Sequence, residues 1–146
     1  RGAVKAKART VGVLGCGHDI NYPVKNNRLK KEILVCGGAL ISELPPGTHV
    51  TKGYFPVRNR IISGLSEATA VIEGAEKSGT IITVGQALEQ GRDVFAVPGD
   101  LVSSSFLGTN NLIRNGATPV FSPNDILESY YFRYHNEFKD KGRIIS

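Results

Sequence analysis

The chain has no methionine, two cysteines, three histidines and no long apolar run. A membrane-crossing helix needs about 20 consecutive apolar residues, so no span of that kind is encoded. No secretory leader pattern opens the sequence, and Cys16 and Cys36 lie too far apart for a paired metal-ligand spacing. Both read as reduced thiols of a cytoplasmic protein without membrane attachment, with Cys36 the expected buried one. His49 and His135 lack partners at ligand spacing and read as surface residues, so neither a metal nor any other cofactor is expected. Gly15-Cys16-Gly17 follows a strand-like run, but Ile20 stands where a dinucleotide fingerprint needs its third glycine. Internal repeats and low-complexity tracts are also missing. With no methionine and a start at Arg1, the chain is expected to be part of a longer protein.

What is present is ordinary for a globular domain: 40% hydrophobic and 21% charged residues in a chain of 146, with 17 glycines to punctuate it. The net charge of +5 favours an anionic partner. Short apolar strands at Thr10–Leu14, Ala39–Ser42, Ala68–Glu73, Asp93–Val97 and Thr118–Phe121 alternate with helical patterns. The helices are expected to start after Asn26 as a cap (with Lys30 and Lys31 on the wet face), around Pro56, at Ser78, at Asn110 and at Ser122-Pro123. Such alternation predicts an α/β fold, a mostly parallel sheet with helices on both faces. Loops at the carboxyl ends of the strands, Gly15–Tyr22, Glu43–Phe55, Glu73–Thr80 and Pro98–Gly108, are then expected on one rim.

The run from Lys52 to Thr83 concentrates the chemistry. Lys52-Gly53-Tyr54-Phe55-Pro56 reads as a turn with a cation, a glycine and an aromatic ring, a set that suits a phosphate chain carrying a base. Phe55 as a core anchor and Lys52 as a solvated charge is the alternative. Arg58-Asn59-Arg60 follows near a helix start, where the macrodipole disfavours cations unless an anion sits between them. An internal pair with Glu43 or Glu73 would serve equally. Ile61 and Leu65 share one face of that helix. Ser78-Gly79-Thr80 turns from a strand end into a helix N-terminus, a standard anion site, with Ser78, Thr80 and Thr83 as hydroxyl donors. Ser78 also fits a simple cap.

Six ordered motifs carry a resemblance: VLGCGHDINYPVKN (13–26), ALISELPPGT (39–48), FPVRNRIISGLS (55–66), EGAEKSGTIIT (73–83), ALEQGRDVFAVPG (87–99) and GTNNLIRNGA (108–117). Together they resemble the DNA-processing protein A family, DprA or Smf, across roughly residues 1–121. The resemblance implies an extended Rossmann-like domain over residues 1–128, incomplete on its N-terminal side, with 129–146 a helix end and linker. It implies a homodimer that binds and protects single-stranded DNA and loads the RecA recombinase onto it in natural transformation, without catalysis. Lys52, Gly53 and Phe55 match the family's Lys-Gly-x-Phe turn. Arg58, Asn59 and Arg60 match its Phe-Pro-x-Arg-Asn-Arg signature, and Ser78, Gly79 and Thr83 its Ser-Gly-x-x-x-Thr turn; Thr80 lies within that turn. His18 and Val84-Gly85 depart from the usual pattern. The family's Gly-x-Ala-Arg-Gly-Ile-Asp motif is absent from this sequence.

A competing reading is a nucleotide-binding enzyme of the related phosphoribohydrolase type, with a desolvated Glu73 as general base. The paired glycines and glutamate of that enzyme family's Pro-Gly-Gly-x-Gly-Thr-x-x-Glu motif are absent here. A third is a partner-binding surface formed by Leu112, Ile113, Leu127, Tyr130 and Tyr131, residues that serve equally well in a core.

Overall fold

The computed structural model describes residues 1–131 together with 133 and 134. Of the expected helix end and linker, 129–146, Phe132 and residues 135–146 lie outside the described residues, His135 among them. The chain forms two compact units, Arg1–Leu65 and a second that begins at Ser66.

In the first unit a short helix α1 (Gly2–Lys5) precedes β1 (Val11–Val13), a 3-10 turn (Val24–Asn26), α2 (Asn27–Val35), β2 (Ala39–Ile41) and α3 (Tyr54–Gly64). β1 and β2 pair in parallel, Val11 opposite Ala39 and Val13 opposite Ile41, which is what a strand–helix–strand crossover produces. The crossover turns sharply at Gly37, whose φ of +73° is left-handed and favours glycine. Asn26 occupies the cap position of α2, but its side chain caps no backbone N–H; its Oδ1 accepts from Arg1 instead. Nor is Lys30 on the wet face: it is half-buried and its Nζ donates to the carbonyl of Ile20 at 3.1 Å. Cys16 is the buried thiol, at 1% exposure, and Cys36 is only partly covered. Cys36, expected to be the buried one, is the C-cap residue one position past the end of α2. Leu65 caps α3 one turn after Ile61, donating its N–H to the Ile61 carbonyl at 3.1 Å, and is 65% exposed; Ser63 is the buried residue of that helix.

In the second unit β3 (Ala68–Val71), α4 (Gly79–Glu89), β4 (Asp93–Ala96), α5 (Leu107–Arg114), β5 (Thr118–Pro119) and α6 (Pro123–Tyr131) follow one another. The strands form a second parallel sheet in the order β3-β4-β5. The predicted α/β class and parallel pairing hold, with the strands grouped in two sheets. β4 is central and reads Val94-Phe95-Ala96, buried throughout, as a strand covered on both faces must be. On one side Val71, Val84, Ala87 and Val94 pack with Leu112 and Ala117; on the other Phe95, Val120 and Tyr130 pack with Ile126. Leu112 and Tyr130 are thus core residues. Gly91 and Gly116, at φ +65° and +102°, terminate α4 and α5 as their sequence positions predict. Asp125, two residues after Pro123, accepts from the N–H groups of Phe121 and Ser122 and from the Ser122 hydroxyl, closing the start of α6.

Candidate nucleic-acid interface

In the first unit the carboxyl end of β1 opens into the Gly15–Ile20 loop, which is strapped to the segment after β2. Gly17 N–H donates to Thr48 O at 2.9 Å, and the Gly47 N–H donates to both carboxylate oxygens of Asp19 at 2.9 Å. That donation holds the Asp19 carboxyl below its ordinary value. The Ser42 hydroxyl donates to Cys16 O at 2.7 Å. A Cβ at Gly17 would stand 2.7 Å from the Pro45 carbonyl oxygen, so only glycine allows this crossing.

α3 begins earlier than its proline signalled. Gly53 is the cap position, and Tyr54 and Phe55 lie in the first turn, with Pro56 third. Phe55 is therefore a helical residue, not a loop aromatic. Its half-buried ring lies against Gly15, where a Cβ would be 3.2 Å from the ring, and tilts toward Tyr22 at 6.3 Å between centroids. The two glycines that failed as a dinucleotide fingerprint have local tasks: Gly15 admits the Phe55 ring and Gly17 admits the neighbouring loop.

Arg58 stands one turn further along α3. Its guanidinium lies 5.8 Å from the Phe55 ring centroid, donates to the Val13 carbonyl at the end of β1, and donates through Nε to Asn59 Oδ1 at 3.1 Å. All of these partners are neutral, and burial pushes the guanidinium below the usual arginine value. Arg60 faces elsewhere and pairs with Glu43, both about half exposed. Residues two apart on a helix do not share a face. The picture of one anion held between the two arginines therefore gives way: both lie beyond the first turn, where the macrodipole fades, and Arg60 already has a carboxylate. Lys52 is exposed, with no ion-pair partner among the described residues. Gly53 has open space where a Cβ would be and an ordinary helical φ of −65°, so its backbone does not require glycine.

Phe55 and Arg58 line a cavity of about 310 Å³. β1 and its following loop supply Val13 to Cys16, the 3-10 turn and the two residues before it supply Asn26, Tyr22 and Pro23, and α3 supplies Phe55 and Arg58. Its charged lining residues are Lys30 and Arg58, with no aspartate or glutamate among them.

In the second unit Ser78 caps α4 in extended backbone, φ −101° and ψ 156°, but makes no side-chain cap bond. Its Oγ is buried and has no hydrogen-bond partner. Gly79 has open space at its Cβ position. The Thr83 hydroxyl donates to Gly79 O at 3.2 Å, inside the helix; Thr80 is half-buried at the same end. The turn before α4 is clamped by the later loop: Gly74 N–H donates to Ser105 O and Gly108 N–H to Gly74 O, each at 2.9 Å. A Cβ at Gly108 would stand 2.3 Å from that Gly74 oxygen. Asn110 grips Gly99 with two bonds, at 3.1 and 3.0 Å, and Asn111 donates to Glu76. Glu73 is exposed, not desolvated. Sequence reasoning missed Tyr22, Asp19, Gly108 and Asn110; for the last three the runs GCGHD and GTNN held the signal, since glycine close to Asp or Asn marks tight, side-chain-bonded turns.

The sequence model of the family described as DNA recombination-mediator protein A matches residues 1–131. The chain belongs to that family. It is 49% identical over 126 residues to the DNA processing protein DprA of Bacillus subtilis, covering 86% of this chain and 42% of that protein. It is 42% identical over 135 residues to protein Smf of Escherichia coli, covering 92% and 36%. The chain thus spans less than half the length of these relatives. The crystal structure of DNA processing protein A from Streptococcus pneumoniae superposes with a TM-score of 0.77 at 40% identity, over 86% of this chain and 44% of that one. Its homologue from Helicobacter pylori shares the fold, with a TM-score of 0.75 at 24% identity, over 92% and 71%. The Rossmann-like architecture follows from these likenesses. Among the described residues no helix is long and apolar enough to cross a membrane, and no group of three His, Cys, Asp or Glu is placed to hold a metal ion.

Proposed function

We propose that this chain binds single-stranded DNA, with Arg58 and Phe55 as the centre of the contact. One observation carries the reading. Arg58 is a partly desolvated cation held against an aromatic ring, in a cavity lined by no carboxylate, and all its partners are neutral. A buried charge without a counter-charge is costly; a phosphate group would supply one. The Phe55 ring then offers its face to a base, and Tyr22 a second aromatic surface. Lys52 adds an exposed cation at the start of α3, and the open Cβ space at Gly53 lets a strand approach the backbone. Asn59 orients Arg58, and Arg60 tethers α3 to Glu43. The turn Ser78, Gly79, Thr80 and Thr83 is the second contact: a helix N-terminus with an unsatisfied serine hydroxyl and open space over Gly79 is suited to a phosphate. The H. pylori homologue binds single-stranded DNA, which agrees with this assignment.

The reading is of a binding module, not an enzyme. Glu73, the residue that a nucleotide-cleaving site would need as a desolvated base, is exposed. As part of a longer family member the module is proposed to act as a homodimer in the cytoplasm, protecting DNA taken up in transformation and passing it to the RecA recombinase.

Fluorescence anisotropy with a labelled oligothymidylate tests it, with duplex as competitor and salt as variable. Single strands should be preferred, and affinity should fall with salt at a slope of about −0.7 per phosphate contact. Phe55→Ala should weaken binding about tenfold, the equivalent of one stacked base at ~1.4 kcal/mol. Wild-type affinity in both Phe55→Ala and Lys52→Ala would refute the assignment of this site.

A further inference from the structure

The first unit carries a second cavity, of about 270 Å³, that the DNA contact above does not use. It is lined by Arg1, Val4 and Lys5 around α1, and by Lys25, Arg28, Leu29 and Glu32 from the 3-10 turn and α2. Four cations thus surround one carboxylate, and that carboxylate is already engaged: Arg28 Nε donates to Glu32 at 2.8 Å across one helical turn. The Arg28 side chain is 92% exposed, and Arg1, Lys5 and Lys25 are also exposed. Such a cluster repels itself unless an anion is present, and three of its positive charges have no carboxylate in the groove. The placement makes the repulsion worse. Arg28 is the second residue of α2, whose first turn contains no acidic residue, at the helix end where the macrodipole disfavours cations.

Position gives the groove its partner. Leu29 lines this cavity and also the Phe55–Arg58 cavity, and Asn26 and Lys30 flank it in the latter. The start of α2 is therefore a shared wall between a pocket with aromatic rings and a groove in which cations outnumber carboxylates four to one. The groove offers no aromatic ring for a base; its apolar lining is Val4 and Leu29. It is fitted to phosphates alone.

Resting on the reading of the Phe55–Arg58 cavity as a DNA site, we infer that the Arg1–Lys5–Lys25–Arg28 groove is a second phosphate-binding subsite for the same single strand. The strand passes over the start of α2, its bases held on one side and its backbone neutralised on the other. The contact is electrostatic and reads no sequence.

The test uses the whole chain and two oligothymidylates, about 5 and about 15 nucleotides long, the range of site sizes for single-strand binders. The variant is Lys25→Gln with Arg28→Gln, both exposed, with circular dichroism to confirm the fold. Wild type should bind the longer strand more tightly and with a steeper salt dependence. The double variant should lose about tenfold on the longer strand, flatten its salt slope by about 1.4 for two lost contacts, and leave the shorter strand unchanged. Unchanged affinity for the longer strand overturns the subsite. Equal loss on both strands also overturns it, since that is the signature of a general field. Failure of the underlying reading looks different: wild type would then bind neither oligonucleotide.

Discussion

The two units of this chain solve stability in different ways. Among the described residues ten hydrophobic side chains are buried; eight belong to the unit that begins at Ser66, and Cys16 and Ile33 to Arg1–Leu65. The charge is divided the other way. Arg1–Leu65 contains eleven Lys and Arg against three Asp and Glu, whereas the remainder contains seven against ten. The whole positive excess of the protein therefore resides in the unit with the thinner core. That unit is held by side chains bonded to backbone: Arg58 to Val13, Lys30 to Ile20, Ser42 to Cys16 and Asp19 to Gly47. A surface that carries many cations cannot also be buried apolar surface, and the side-chain bonds to backbone hold the loops in place around the cavity.

The largest test of this contrast is core truncation. Phe95→Ala should cost about 3–5 kcal/mol in denaturant unfolding, because the ring is 2% exposed and packs with Val120 and Tyr130. DNA affinity of the protein that remains folded should change little. If Phe95→Ala costs under about 1 kcal/mol, the second unit is not packed as described.

Arg58→Ala should show the reverse. Stability should fall by only about 1–2 kcal/mol for the lost bond to Val13, while DNA affinity drops at least about tenfold. Arg58→Lys should restore the charge but not the affinity, since an ammonium cannot hold Val13 and Asn59 together in one plane. Recovery to wild-type binding with lysine would mean that charge alone matters there.

Alkali should act on the second unit. Tyr130 donates to Asp93, and burial with that carboxylate nearby pushes its phenol up to about 12. The folded state thus holds its proton above the ordinary value of 10.0, so stability is full below that pH and is lost as pH rises toward about 12. Tyr130→Phe should remove this loss from an alkaline unfolding series; an unchanged series would assign it to another group.

Acid should act on both units. Asp19 and Asp125 each accept backbone N–H bonds that hold their carboxyls below the ordinary 3.8, so each contributes stability above that pH that is lost as pH falls through the lowered value. Asp19→Asn should flatten the acid limb of DNA binding, because Asp19 straps the loop beside Phe55. Asp125→Asn should flatten only the acid limb of unfolding. Exchange of the two effects would break the division of labour.

The smallest expected effect is Gly53→Ala. Unfolding should be unchanged, because nothing lies within 4 Å of the new methyl group. Any loss should be confined to DNA affinity.

Much of the fold is legible in the sequence because its signals are local. Ser122-Pro123 marks the start of α6, Gly91 and Gly116 mark the ends of α4 and α5, and Ser78 marks the entry to α4. The site residues are legible by type but not by partner. Arg58 contacts a carbonyl 45 positions earlier in the chain, and a backbone oxygen leaves no trace in residue identity. Arg60 does meet Glu43, one of the two acids that its charge allows. Lys30 was misplaced for the same reason as Arg58: its acceptor is the Ile20 carbonyl, and a lysine that reaches a backbone oxygen has the same letter as one in water. The start of α3 was set late because proline signals a first turn without saying which position in it.

The contact of the Phe55 ring with the bare Cα of Gly15 has an evolutionary consequence. Positions 15 and 55 are forty residues apart in sequence, yet this contact couples them. A side chain at 15 presses on the ring, which would lie 3.2 Å from the new Cβ and must give by a few tenths of an ångström, and a smaller residue at 55 leaves room that a side chain at 15 would fill. Laboratory libraries that randomise the aromatic alone will therefore sample a rugged landscape, and those that randomise the pair should recover solutions that no single substitution reaches.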